Sequence, residues 1–184
     1  MVRRRTLLTP VGLMLIAVLA VTAAGPAPRS DIAVFFSRVD NPQAAIVRAL
    51  DGARQTVHIA MYYFTDAKLA EAVVRARQRG VQTYVYLDRS QVDQQHSQAR
   101  YLAARGVPVR ISSNPAIMHN KFAVIDGSTV ITGSYNWTKA AWQRNDENLL
   151  IIHRPEVAQR YMQRFAGLWM YEFDWAATQA VRTN

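Results

Sequence analysis

An Asp-Gly pair between two apolar runs constrains the fold of this chain more than any other feature of its sequence. Asp126 and Gly127 follow one apolar run and precede another that ends at Thr132. Both residues tolerate the positive φ that a tight hairpin turn requires. The pair therefore predicts two antiparallel strands, one through Ile125 and one over residues 129–132. A third apolar run, residues 148–152, predicts a third strand nearby.

Polar side chains lie at the open end of this predicted hairpin. His119 and Lys121 are two residues apart at the start of the first strand, so they would project from one face. The returning strand brings Ser134 near the point where His119 lies, and Asn136 follows two residues later. Glu147 directly precedes the third strand. An imidazole, an ammonium, a hydroxyl, a carboxamide and a carboxylate could thus converge.

This set of groups suits the chemistry of a phosphodiester. A lysine supplies a compact positive charge, and serine and asparagine supply neutral hydrogen-bond donors to phosphate oxygens. A histidine can attack phosphorus or move protons near neutral pH, and a carboxylate can orient its ring. We therefore predict that the catalytic residues are His119, Lys121, Asn136 and Glu147, with phosphate held by Lys121, Ser134 and Asn136.

The spacing of these residues resembles the signature of the phospholipase D superfamily, in particular its short bacterial endonuclease branch with one motif per chain. The residues that carry the resemblance are His119-x-Lys121-x4-Asp126, then Gly133-Ser134-Tyr135-Asn136, then Glu147-Asn148. The resemblance implies a phosphodiesterase with an α-β-α sandwich fold and no metal or other cofactor. It also implies that Asp126 belongs to the motif but supports the fold, as does Gly133.

A count of catalytic groups adds an expectation about assembly. By resemblance, the superfamily uses two histidines from two motif copies, whereas this chain has one copy. A two-fold homodimer would bring both His119 side chains to one phosphate. One would form a phosphohistidine, and the other would protonate the leaving oxygen.

A metal site is the alternative to this mechanism. It would use His119, Asp126, Glu147 and His153, but these residues lack a recognised ligand spacing.

Strand and helix patterns alternate along the rest of the chain, so the fold class is predicted to be α/β. The hairpin adds antiparallel pairing, which makes the expected sheet mixed, with helices flanking both faces. The remaining predicted strands cover residues 32–36, 56–64, 81–87 and 107–111. Predicted helices cover residues 42–52, about 66–79, a segment ending near Ala104, and 155–173.

The N-terminal residues form a different kind of sequence. Three arginines precede a short apolar run and then small residues, which is the layout of a secretory signal. We predict a signal peptide over residues 1–25, or an uncleaved N-terminal anchor, and a linker over residues 26–31. One catalytic domain over residues 32–175 and a tail over residues 176–184 complete the chain. The expected location is periplasmic or secreted.

The overall charge leaves three functions open. The chain of 184 residues carries a formal charge of +9 and has no cysteine, which excludes a disulfide framework and a cysteine-based metal site. A basic chain favours polyanions. We expect a nonspecific endonuclease acting on DNA or RNA. A phospholipase D acting on phospholipid head groups and a noncatalytic polyanion-binding module are the alternatives.

Overall fold

A seven-stranded mixed sheet forms the centre of the protein. The computed structural model describes residues 30–170. The strand order is β1-β7-β6-β5-β2-β3-β4, in which β2, β3 and β4 run parallel and the other pairs are antiparallel. The strands are β1 (Ile32–Phe36), β2 (Thr56–Met61), β3 (Gln82–Leu87), β4 (Val109–Ile111), β5 (Lys121–Ile125), β6 (Thr129–Gly133) and β7 (Asn148–His153). The helices are α1 (Pro42–Gly52), α2 (Ala67–Gln78), α3 (Ala99–Ala103), α4 (Lys139–Gln143) and α5 (Pro155–Met170).

The helices begin where the sequence supplies side-chain caps. Asn41 Oδ1 accepts from the backbone N–H of Ala44 at the start of α1, and Pro42 occupies its first turn. Asp66 caps α2 by accepting from the N–H groups of its first turn. The chain leaves α2 through Gly80, whose φ of +89° is available to glycine at little cost. These caps place the start of α2 at the sheet edge where β2 ends.

Alternation along each strand separates two cores. In β2, Val57, Ile59 and Met61 contact the core beneath α1 to α4, whereas Ala60 faces α5. The same alternation recurs in the neighbouring strands, so helices cover both faces of the sheet. The predicted mixed α/β sheet with helices on both faces is thereby confirmed.

Three local features differ from the predictions. β2 ends at Met61 rather than residue 64, because Tyr62 donates its N–H to Asn120 O and Phe64 forms only an isolated bridge to Trp137. β5 begins at Lys121, so His119 lies just before the strand. The short helix α4 was not predicted, since five residues carry little periodicity; its N-cap is Thr138.

Several predicted segments fall outside the described residues. These are the signal peptide or anchor over 1–25, most of the linker over 26–31, the tail over 176–184 and the last residues of the predicted helix 155–173. Within residues 30–170, none of the helices has the length and apolar character needed to cross a membrane.

Candidate active site

The segment before β5 places the first pair of site residues. Met118 is buried and donates its N–H to Asp88 Oδ2 at 2.7 Å, which fixes the segment to the end of β3. His119 is exposed directly after this anchor. Lys121 Nζ donates to the backbone oxygen of His119 at 2.9 Å. The imidazole and the ammonium therefore lie together at the end of the sheet where β2 finishes and β5 begins. We call this end the polar edge.

Two tyrosines line the same edge. The Tyr62 ring lies 4.6 Å from the His119 ring, centroid to centroid, in an edge-on contact, and Lys121 Nζ lies 4.9 Å from the Tyr62 centroid. The ring of Tyr63 follows at 4.2 Å from Tyr62. Neither tyrosine was predicted to belong to the site. Both tyrosines directly follow the buried strand β2, which pairs with the hairpin strand β5, and this position could have indicated that they belong to the site.

Asn136 joins this edge through the backbone. Its Oδ1 accepts from the N–H of Tyr63 at 3.2 Å. Because the carboxamide oxygen is held in this way, the Nδ2 group is the part that can donate to a substrate oxygen. Lys121, at the start of β5, thus contacts Tyr62, and Asn136, beyond β6, contacts the neighbouring Tyr63.

Glu147 and Ser134 form a second polar group next to the first. Ser134 Oγ donates to Glu147 Oε2 at 2.5 Å and accepts from Asn148 N at 3.1 Å, while Asn145 Nδ2 donates to Glu147 Oε1 at 3.0 Å. Among residues 30–170 these are the hydrogen bonds of the Glu147 carboxylate, and the His119 ring takes part in none. The Glu147 carboxylate therefore has hydrogen-bond partners other than the His119 ring, and the Ser134 hydroxyl donates to Glu147.

The charge of Glu147 influences the pKa of Lys121. Burial lowers the pKa of the Lys121 ammonium below its ordinary value, and the negative charge of Glu147 partly opposes this shift. The same burial leaves the ammonium partly dehydrated. That situation strengthens its attraction for a phosphate.

Gly133 and Asp126 shape the hairpin without touching the polar edge. Gly133 has a φ of +147°, and a Cβ there would lie 2.3 Å from Asn148 O. The close approach of β6 to β7 at this position therefore requires a glycine. Asp126 and Gly127 both have positive φ, in agreement with the predicted turn. The Asp126 carboxylate accepts from the N–H groups of residues 54–56.

Comparison with known proteins agrees with this geometry. Residues 46–169 match a family described as "Cardiolipin synthase, PLD-like domain". The chain belongs to the phospholipase D-like family. It is a phosphodiesterase of the phospholipase D superfamily with the single-domain fold of the Nuc-like branch.

The relatives of this phospholipase D-like chain are named for different activities. The chain is 36% identical over 137 residues to a phospholipase D of Rickettsia felis, covering 74% of this chain and 68% of that protein. It is 37% identical over 149 residues to the mitochondrial cardiolipin hydrolase of Xenopus tropicalis, covering 81% and 66%. The solved structure of Nuc from Salmonella typhimurium superposes with a TM-score of 0.74 at 31% identity, covering 78% of this chain and 97% of Nuc.

Two other histidines of this phospholipase D-like domain, His58 and His153, lie away from the polar edge. His58 is half-buried between Tyr84 and Phe165, and burial lowers its pKa. His153 Nδ1 lies 3.1 Å from Thr129 Oγ1, beside the hairpin turn. The four residues of the considered metal site are therefore not brought together, and within residues 30–170 no group of three or more potential ligands could hold a metal ion.

Proposed function

We propose that this chain is a metal-independent endonuclease that hydrolyses nucleic-acid phosphodiester bonds through a phosphohistidine. The observation that carries the proposal is the shared edge on which His119, Lys121 and Asn136 meet around Tyr62 and Tyr63. It contains a nucleophile, a cation and a neutral donor. A site for noncatalytic binding of polyanions has no need of the exposed imidazole.

The chemistry would proceed in two displacements. A ring nitrogen of His119 attacks phosphorus, the bond from phosphorus to the leaving oxygen breaks, and that oxygen takes a proton from a second imidazole. Water then attacks the phosphohistidine and gives its proton back to the second imidazole, and the bond from nitrogen to phosphorus breaks. Lys121 and the Asn136 amide hold the charge that develops on the phosphate oxygens.

The second imidazole would come from another copy of the chain. Each chain supplies one His-x-Lys pair, so a site with two imidazoles at one phosphate is incomplete without a two-fold partner. The exposed face of β1 supports this arrangement, since Ile32, Val34 and Phe36 project from it with 41%, 51% and 53% of their surface exposed. Ser37, the next residue, exchanges hydrogen bonds with the backbone of Glu147. The apolar row therefore leads to the polar edge.

Val34→Glu tests the dimer. The substitution places a charge in the apolar row at a half-exposed position, so the fold should persist while the dimer dissociates and nuclease activity falls with it. Gln78→Glu adds the same charge at the exposed end of α2 and should leave both unchanged. Sedimentation velocity combined with plasmid cleavage provides the measurement. A Val34→Glu monomer with full activity would refute the shared site.

Nucleic acid is favoured over lipid by charge, because the chain carries +9 overall and a basic protein attracts polyanions. A phospholipase D activity is the second candidate, because the sequence identity to proteins named phospholipase D and cardiolipin hydrolase is at least as high.

Parallel assays decide between the two substrates. Plasmid DNA, single-stranded DNA, phosphatidylcholine vesicles and cardiolipin vesicles are each incubated with the wild type and with His119→Asn. We expect DNA cleavage that the substitution abolishes. Turnover of either lipid in the absence of DNA cleavage would contradict the nuclease proposal, and DNA cleavage by His119→Asn at the wild-type rate would contradict the assigned nucleophile.

A further inference from the structure

A cavity of about 360 Å³ lies beside the polar edge and has no role in the two displacements described above. Its walls come from the start of α2 and from α4, and they include Lys68, Lys139 and Trp142. The residues that matter for binding are two exposed lysines and a half-buried indole. We call this cavity the α2/α4 groove.

The groove is connected to Asn136 along both of its walls. Tyr63 N donates to Asn136 Oδ1, and two residues later Thr65 N and Asp66 N both donate to Trp137 O. On the other wall, Lys139 follows Asn136 by three residues, which a chain spans in at most about 11 Å. A polymer whose scissile phosphate lies at Asn136 can therefore reach the groove with its next units.

The charge of the groove is positive despite an acidic residue in its lining. Asp66 is 4% exposed, and its carboxylate accepts from Gln43 Nε2 and from the N–H groups of Lys68 and Leu69. Those donors satisfy the carboxylate within the fold. Lys68 and Lys139 remain as the cations that face the groove, which suits a chain of phosphates.

The indole of Trp142 supplies a flat surface between these cations. Lys68 Nζ lies over the ring, 5.8 Å from its centroid and near the outer limit of about 6 Å for a cation–π contact, so the contact is weak and a stacking base can displace the flexible lysine toward a flanking phosphate. The half-buried side chain also packs against the core beneath α1 to α4. An aromatic ring held by the core and bordered by lysines is the arrangement on which unpaired bases stack.

We propose that the α2/α4 groove binds single-stranded nucleic acid next to the scissile phosphate, with one base stacked on Trp142 and the flanking phosphates held by Lys68 and Lys139. Stacking requires an unpaired base, so the enzyme prefers single strands over a duplex of the same sequence. This inference rests on the proposed nuclease function and extends it to the form of the substrate.

The test of the indole compares a long substrate with a short one. Trp142→Leu keeps an apolar side chain but removes the aromatic surface, whereas Trp142→Phe keeps a smaller aromatic ring. For a single-stranded oligonucleotide, the leucine variant should lose about 5- to 150-fold in kcat/KM, and the phenylalanine variant should recover much of it. Bis(p-nitrophenyl) phosphate does not reach the groove, so its turnover should match the wild type in both variants.

The test of the lysines uses salt. In the inactive His119→Asn background, each of Lys68→Gln and Lys139→Gln should reduce the slope of log affinity against log salt concentration for a labelled single strand by about 0.7. Arg77→Gln is the matched control, because Arg77 lies near the other end of α2, roughly 13 Å from Lys68 along the helix axis. It should leave the slope unchanged.

Each alternative outcome is distinguishable. Unchanged oligonucleotide cleavage in Trp142→Leu, or an equal loss on the oligonucleotide and the small diester, would assign Trp142 to core packing and overturn the groove. A wild type that hydrolyses vesicles and no DNA would refute the nuclease function. The affinity for a labelled single strand, measured in the His119→Asn background, then tests the groove independently of cleavage. Equal affinities with and without Trp142→Leu would refute the groove.

Discussion

The carboxylate of Asp126 is expected to stabilise the fold and to take no part in the reaction. Its Oδ1 accepts from Gln55 N at 2.8 Å and Thr56 N at 2.9 Å, and its Oδ2 accepts from Arg54 N at 3.0 Å. These bonds fasten the hairpin turn to the segment that enters β2. Strand β5, whose five residues span about 17 Å, separates the turn from His119.

The magnitude follows from three bonds and one backbone angle. A hydrogen bond to a charged group contributes about 1.5–3 kcal/mol when water is excluded; this partly exposed carboxylate should contribute about 1 kcal/mol per bond. Asp126→Gly would then cost about 3 kcal/mol. Asp126→Ala adds about 1 kcal/mol, because the φ of +51° disfavours a Cβ. Asp126→Asn keeps an acceptor and tolerates the angle, so it should cost about 1–2 kcal/mol.

The assay is urea unfolding with activity measured on the folded fraction. The order of stability should be wild type, Asn, Gly and Ala, and a loss of about 3 kcal/mol should lower Tm by roughly 6–12 °C. The folded fraction should retain its specific activity. Wild-type stability in Asp126→Asn together with lost turnover would refute the reasoning, because it would place the carboxylate in the chemistry.

The pH dependence gives a second reading of the same variant. Burial acts to raise the pKa of Asp126, but the N–H groups of residues 54–56 outweigh it and hold the pKa below the ordinary 3.8. A carboxyl group with a lowered folded pKa stabilises the protein above its unfolded pKa and loses that effect as pH falls through the folded pKa. The difference in unfolding free energy between the wild type and Asp126→Asn should therefore be constant near neutral pH and shrink below about pH 4.

Three further outcomes are expected. Gly133→Ala should cost at least about 2 kcal/mol and most of the activity, because its Cβ would meet Asn148 O, whereas Gly52→Ala, whose Cβ would meet nothing within 4 Å, should cost little; thermal unfolding compares them. The alkaline limb of the pH profile of kcat/KM should lie below pH 10.5, because burial lowers the Lys121 pKa. Glu147→Gln should shift that limb to lower pH, because it removes the negative charge that opposes the effect of burial. An unshifted limb would contradict the interaction between Lys121 and Glu147. DNA cleavage should survive excess EDTA, and its complete loss that added Mg²⁺ restores would revive a metal mechanism.

Local patterns in the chain were sufficient for the fold class and for the order of its elements. The Asp126-Gly127 turn, the alternation of each strand and the caps at Asn41 and Asp66 each involve residues close together in the chain. Helix α4 was missed because its five residues are too few to show a period. The end of β2 was placed three residues late, since apolar residues continue past the point where regular pairing stops.

The sequence by itself determined which chemical groups are present and which of them lie on neighbouring turns and strands. Only the tertiary structure decided the contacts between distant segments: Tyr62 against His119, Asn136 against Tyr63, and Ser134 against Glu147. Those contacts depend on how strands pair across the sheet, and pairing is set by the packing of both faces at once. The same pairing left the imidazole of His119 exposed at the end of the sheet where β2 finishes and β5 begins.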